Sequence, residues 1–123
     1  MTTNIQLSLI EKWFRITESG EKSEDYRELT PYWYSRFCLY DGNKQPKSFW
    51  EFAPRTSFNF DSNKVTFKKF KTNIMTLGYP KSTDTERILK YKHAGIEIRT
   101  GNPNWGAEEG KLYFVIMHGE KIR

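Results

Sequence analysis

The period of the apolar positions changes along this 123-residue chain, and each change predicts an element. Residues 3–7 alternate and predict a short strand. Ser8-Leu9-Ile10-Glu11 follows as a capping-box pattern, in which the serine hydroxyl accepts the Glu11 amide and the Glu11 carboxylate reaches back. Ile10, Trp13, Phe14 and Thr17 fall at i, i+3, i+4 and i+7, while Glu11, Lys12, Arg15 and Glu18 take the opposite face. Gly20 can supply the left-handed residue after the last turn, so a helix is expected over 9–19.

Residues 22–29 read as extended. Thr30-Pro31 then pairs a capping residue with a proline at the first helical position, predicting a second helix over 31–38. From 40 to 63, Gly42, Pro46, Pro54 and scattered Ser and Asn break any period and predict an irregular connection. Its Phe49, Trp50, Phe52, Phe58 and Phe60 predict that it packs onto the body. The second half predicts strands over 64–71, 86–92, 95–100 and 111–118, punctuated by Gly78-Tyr79-Pro80, Ala94-Gly95 and a loop over 101–110. Helices first and a mostly antiparallel sheet after them make an α+β fold. The sheet is expected to curl into a small barrel within one domain spanning residues 1–123.

Composition adds two facts. The 20 aromatic residues outnumber the 18 Ile, Leu and Val, so a core is within reach of a small domain and some rings could be left over as binding surface. The net charge of +5 is uneven: residues 1–62 carry 8 basic and 9 acidic groups, whereas residues 63–123 carry 12 and 6. The N-terminus lacks a basic segment followed by an apolar stretch of about 7–15 residues, and no run approaches the roughly 20 apolar residues of a membrane span. A cytoplasmic protein with no membrane partner is expected. The single cysteine, Cys38, forms no internal disulfide and reads as a small buried hydrophobe. With only His93 and His118 beside it, no metal-ligand spacing and no cofactor motif is present, and both histidines read as structural residues at strand ends.

The stretch Trp13-Phe14-x-Ile16-x2-Ser19-Gly20-Glu21-Lys22-x2-Asp25-Tyr26-Arg27-Glu28 resembles the signature of the ASCH domain, a branch of the PUA-like superfamily. Its pattern is a glycine, any residue, a lysine, two residues, a glutamate, one residue and an arginine. Thr30-Pro31-Tyr32-Trp33, Gly95-Ile96-x-Ile98 and the run from Asn104-Trp105-Gly106-Ala107-Glu108 through Gly110-Lys111-x-Tyr113-Phe114-Val115-Ile116 resemble small bacterial and phage members. The resemblance covers residues 7–33 and 88–118 and is loose over 36–85. It implies a PUA-like, mostly antiparallel β-barrel with two or three flanking helices. It also implies a cleft lined by the lysine and arginine of the motif, which binds RNA or a nucleotide. An enzymatic branch of the family removes the acyl group from N4-acetylcytidine with a lysine, a threonine at the motif's fourth position and a distant glutamate. Here Lys22 matches the lysine, but the fourth position is Asp25, which removes the hydroxyl and shortens the family's common glutamate by one methylene.

The residues themselves allow this chemistry. A lysine is a compact point charge for a phosphate or carbonyl oxygen, and an arginine presents a planar fork, which Asp25 could orient. In an extended segment Asp25 and Arg27 share one face and Lys22 the other, unless Lys22 sits in the turn after Gly20, which is the expected arrangement. The bland alternative is a partly exposed Asp25–Arg27 pair worth about 0–1 kcal/mol beside a solvated Lys22. Lys68, Lys69 and Lys71, interleaved with Phe67 and Phe70, form a second candidate that could meet phosphates while a ring stacks on a base. Lysines on an edge strand also serve simply to block aggregation. Trp105, among Gly101, Pro103, Gly106 and Gly110, is either a stacking lid or a plug for the barrel end.

The leading expectation is therefore a domain binding RNA, single-stranded nucleic acid or a nucleotide through Lys22, Asp25 and Arg27, with Tyr26 and Trp105 stacking and Lys68, Lys69 and Lys71 alongside. The alternative is a hydrolase acting on modified nucleosides or RNA, with Lys22 and Asp25 catalytic. A third reading is a protein-binding module that uses the surplus rings. The basic excess requires strands 64–71 and 86–100 to border the cleft.

Overall fold

The computed structural model describes residues 4–56 and 59–122. In chain order the elements are β1 (Asn4–Leu9), α1 (Glu11–Glu18), β2 (Glu24–Arg27), α2 (Pro31–Phe37), β3 (Cys38–Tyr40), α3 (Lys47–Thr56), β4 (Val65–Phe67), β5 (Thr72–Leu77), β6 (Ile88–Thr100) and β7 (Leu112–Lys121). The chain divides into two compact units, Met1–Tyr26 with Lys69–Arg123, and Arg27–Lys68. The α+β expectation is met: a curled, mostly antiparallel five-stranded sheet accompanies three helices among the described residues.

The first unit holds the sheet, in the order β1-β5-β6-β7-β2. β1 runs parallel to β5, and β5–β6 and β6–β7 are antiparallel. β1 alternates as predicted, burying Ile5, Leu7 and Leu9, although residue 3 of the expected strand lies outside the described residues. The strand runs through Leu9, and this displaces the helix start. Ser8 Oγ donates to the Gly78 carbonyl at 3.0 Å instead of capping, so α1 begins at Glu11 with Ile10 as an uncapped N-cap. The capping box does not form. α1 buries Phe14 and Thr17 and packs on β1 and β5. Tyr91 Oη ties β6 to α1 by donating to the Thr17 carbonyl at 2.7 Å.

β5 fills a stretch where no strand was expected, and only β4 lies within the expected 64–71 strand. The cause is polar: two of the inward positions of β5 are Asn73 and Thr76, which disguise its alternation. The expected strands 86–92 and 95–100 are one strand, β6. Ala94-Gly95 is a bulge and not a turn, because Gly95 at φ 132° takes up the extra residue without ending the ladder. Two register shifts flank His93, and they cancel. Tyr91↔Lys121 and Gly95↔Met117 lie on one register, and His93↔His118 stands off it by one residue. β7 is apolar throughout its middle because both faces are covered. Phe114 and Ile116 are fully buried on one side, and Tyr113 and Val115 pack with Ala107, Tyr26 and Met117 on the other.

The second unit is built on rings. Thr30 Oγ1 accepts the Trp33 amide and Pro31 opens α2, as the sequence predicts, but the helix stops at Phe37 and Cys38 begins β3, paired with β4. Cys38 is fully buried, and burial pushes its thiol up to about 12, which fits an inert hydrophobe. The expected irregular stretch contains a helix, α3, despite Pro54. Packing overrides the local preference here: Trp50 is buried against Tyr34 at 5.4 Å between ring centroids, and Phe49 meets Tyr40 at 5.1 Å. Phe60 stacks on Tyr40, while Phe58 lies outside the described residues.

Gly101, at the exit of β6, has no room for a side chain. A Cβ there would lie 2.6 Å from the Tyr26 ring and 2.7 Å from Ala107 Cβ. Gly101→Ala should therefore cost about 1–3 kcal/mol in urea unfolding, as overpacking does. An unchanged midpoint would contradict this close approach.

Candidate functional site

The motif Gly20-x-Lys22-x-x-Asp25 folds back on itself at the end of α1. Gly20 takes φ 85°, and the Lys22 amide returns to the Ile16 carbonyl at 3.2 Å, so Lys22 lies in the turn before β2 begins. Strand parity thus does not separate Lys22 from Asp25, as expected. Both are almost wholly buried, at 3% and 2% exposure, and Lys22 Nζ forms an ion pair with Asp25 Oδ1. The other carboxylate oxygen is also taken, because His118 Nε2 lies 2.6 Å from Asp25 Oδ2. β7 delivers this imidazole. Its His118 amide donates to the Ser23 carbonyl at 2.9 Å, next to the start of β2, and the ring is 1% exposed.

Trp13 links the ammonium to the 101–110 loop. Lys22 Nζ lies 5.9 Å from the Trp13 ring centroid, within cation–π range, and Lys12 Nζ lies 4.7 Å from the same ring. Gly106, at φ 99°, presses on the indole so closely that a Cβ would come 2.9 Å from its Cζ2. Tyr26 anchors the loop: its hydroxyl donates to Glu24 Oε2 at 2.6 Å and accepts the Asn102 amide at 2.8 Å. Tyr113 Oη accepts the Glu108 amide at 3.0 Å. Arg99 in turn holds Glu24 through two nitrogens, at 2.7 and 3.3 Å. Burial, followed by the Glu24 hydrogen bond, raises the Tyr26 phenol well above its ordinary value, which keeps it a donor.

Behind His118 the polar chain continues into the sheet. Asn73, fully buried on β5, donates from Nδ2 to the Met117 carbonyl at 3.0 Å and lies 2.9 Å from His118 Nδ1. Its Oδ1 lies 2.7 Å from His93 Nδ1. Burial alone would raise the Asp25 carboxyl, but the His118 hydrogen bond and the Lys22 charge outweigh it and hold the group below the usual range. His93 is lowered by burial and by the neighbouring His118.

The predicted residues are therefore used unequally. Lys22 and Asp25 meet, and Tyr26 is committed to the loop, not free to stack. Both Asp25 oxygens are engaged, one by Lys22 and one by His118. Arg27 belongs to the second unit, where it lies 5.3 Å from the Trp33 ring centroid. Lys68 is also in that unit and half-buried, with Nζ donating to the Ser35 carbonyl in the last turn of α2 at 3.0 Å. Burial and the nearby Lys44 and Arg36 lower its pKa. Lys69 and Lys71 are exposed ahead of β5, and Trp105 is half-buried in a 3₁₀ turn, Pro103–Trp105. His118, Asn73 and His93 were not singled out from the sequence as site residues. Their one sequence signal, two histidines on consecutive strands, becomes informative only once the register is known. No family model, curated protein or solved structure matches the chain.

Two predictions follow from the charges. Asp25→Asn leaves the Lys22 ammonium buried without its counter-ion and should destabilise the fold by about 3–5 kcal/mol in chemical denaturation, whereas a loss under 1 kcal/mol would mean the pair is not buried. The pKa of His93 in the folded protein lies below its unfolded value, so the stability it contributes is complete above about pH 6.5 and is lost as pH falls. Asp25 and Glu24 are also lowered, so their share is complete above about pH 4 and is lost below it. The thermal midpoint should accordingly fall in two stages on acidification, and His93→Gln should abolish the first.

Proposed function

We propose that this chain is an ASCH-type, PUA-like domain that binds single-stranded RNA or a nucleotide at the Lys22 site. The observation that carries the reading is the burial of Lys22, Asp25 and His118 as one hydrogen-bonded cluster beside the Trp13 indole. Apolar replacement of a buried ion pair is often neutral or stabilising, so a fold gains little from the pair for its own sake. What the cluster offers is a preorganised ammonium next to an aromatic face, which the 101–110 loop touches from its own side through Gly106. The ammonium suits a carbonyl or phosphate oxygen, and the indole suits a planar base.

The basic wall is thinner than the net charge suggests. Arg99 is paired with Glu24 and Glu97, Lys92 with Glu120, and Lys121 Nζ donates to the Glu18 carbonyl. Lys69 and Lys71 remain exposed for phosphates. Hydrolysis is the less favoured chemistry, because position 25 has no hydroxyl and both His118 nitrogens are engaged within the cluster.

Fluorescence anisotropy with a labelled oligouridylate tests the reading. Two phosphate contacts on a single strand give a log–log salt slope of about −1.4, or roughly sevenfold weaker binding between 50 and 200 mM salt. Lys69→Glu with Lys71→Glu should flatten that slope while leaving the fold intact, and Lys22→Met should weaken binding at least about tenfold. Absence of wild-type binding at 50 mM salt, or binding indifferent to Lys22→Met, would overturn the proposal. Release of acetate from N4-acetylcytidine by the wild type would replace it with the hydrolase.

A further inference from the structure

The hydrogen bonds behind Asp25 run in a fixed donor-to-acceptor order. A backbone carbonyl only accepts, so the Asn73 nitrogen that meets the Met117 carbonyl at 3.0 Å must be the amide Nδ2. The same Nδ2 lies 2.9 Å from His118 Nδ1, so that ring nitrogen must present a lone pair. The proton of His118 then sits on Nε2, where it is donated to Asp25 Oδ2. On the other side, Asn73 Oδ1 only accepts, so His93 must carry its proton on Nδ1. The two histidines thus hold opposite tautomers, and one amide sets both.

We propose that Asn73 is the positioning residue of the Lys22 site, fixing His118 as its Nε2–H tautomer so that Asp25 keeps its charge and holds Lys22. The inference rests on the proposed role of Lys22 only for its functional consequence; the tautomers stand on geometry alone. Were His118 to carry its proton on Nδ1, two lone pairs would face each other at 2.6 Å across the bond to Asp25. The carboxyl would then have to take up a proton, and Lys22 would lose its counter-ion. The groups around His118 leave it little other freedom. Asp25 with Lys22 behind it comes from the α1–β2 segment, Asn73 from β5, and His93 and the Tyr91 ring, 5.4 Å away, from β6. His93 Nε2 makes no hydrogen bond among the described residues, so the chain ends there.

Imidazole nitrogen NMR at pH 7.5 reads this directly on the intact protein. The expected spectrum shows His118 protonated on Nε2 and His93 on Nδ1. His118 protonated on Nδ1, or both rings in the same tautomer, would overturn the proposal whether or not RNA binds. Asn73→Asp replaces the donor by an acceptor and should convert His118 to the doubly protonated ring, and a spectrum like the wild type would count against the assignment. Labelling of lysines by an acylating ester, followed by mass spectrometry, reports on Lys22 without any ligand. Lys22 should be protected in the wild type and in Asn73→Asp, where His118 keeps its Nε2–H, and labelled several-fold more in Asn73→Ser, whose shorter hydroxyl no longer fixes the tautomer. Unchanged protection in Asn73→Ser would remove Asn73 from the site. Correct tautomers in a protein that fails to bind oligouridylate would support this inference and reject the RNA reading.

Discussion

The first unit is organised around a single carboxylate. Asp25 accepts from Lys22 with one oxygen and from His118 with the other, and every nearby element has a stake in that arrangement. α1 must end at Gly20 to deliver the lysine, β2 must pair beside β7 to deliver the imidazole, and β5 must supply Asn73 behind it. A buried charge without partners would cost several kcal/mol, so Lys22 and His118 are obligatory once the carboxylate is inside, and Asn73 supports His118 from behind. The same requirement explains why so polar a residue as Asn73 occupies a fully buried strand position.

How much of this is legible in the chain depends on range. The end of α1 at Gly20, the turn that frees Lys22 from strand parity and the capped start of α2 are all local, and the residues announce them. What the chain conceals is set by distant partners. Ser8 looks like a cap until β5 is known to end beside it, and then it serves Gly78. β5 itself is masked because its inward Asn73 and Thr76 serve hydrogen bonds and not the apolar core. His118 is silent in sequence, since the carboxylate it binds is 93 residues away. α3 is hidden for the opposite reason: Pro54 argues against it locally, and the burial of Trp50 outweighs that argument.

The surplus of aromatic residues also acquires a use that composition alone does not suggest. Tyr26 and Tyr113 act through their hydroxyls as anchors for backbone amides of the 101–110 loop, and Tyr91 does the same for the carboxyl end of α1 in the opposite sense, as a donor. Rings that combine an apolar body with a polar tip can be buried and still satisfy a main-chain group. A chain short of branched aliphatics therefore closes its loops and its core with the same side chains.

The paired register shifts around His93 have a genetic consequence. Because the slip on β6 at Ala94 is cancelled by a slip on β7 beyond His118, the strands are in step on either side of a short excursion. Loss of the Ala94 codon removes one slip and leaves the other, so the two flanks no longer share a register. Loss of the Ala94 codon together with that of Gly119 or Glu120 brings both flanks and the His93↔His118 pair onto one register. A matched pair of deletions thus preserves the continuity of the ladder where a single one does not, and it keeps the two histidines opposite each other.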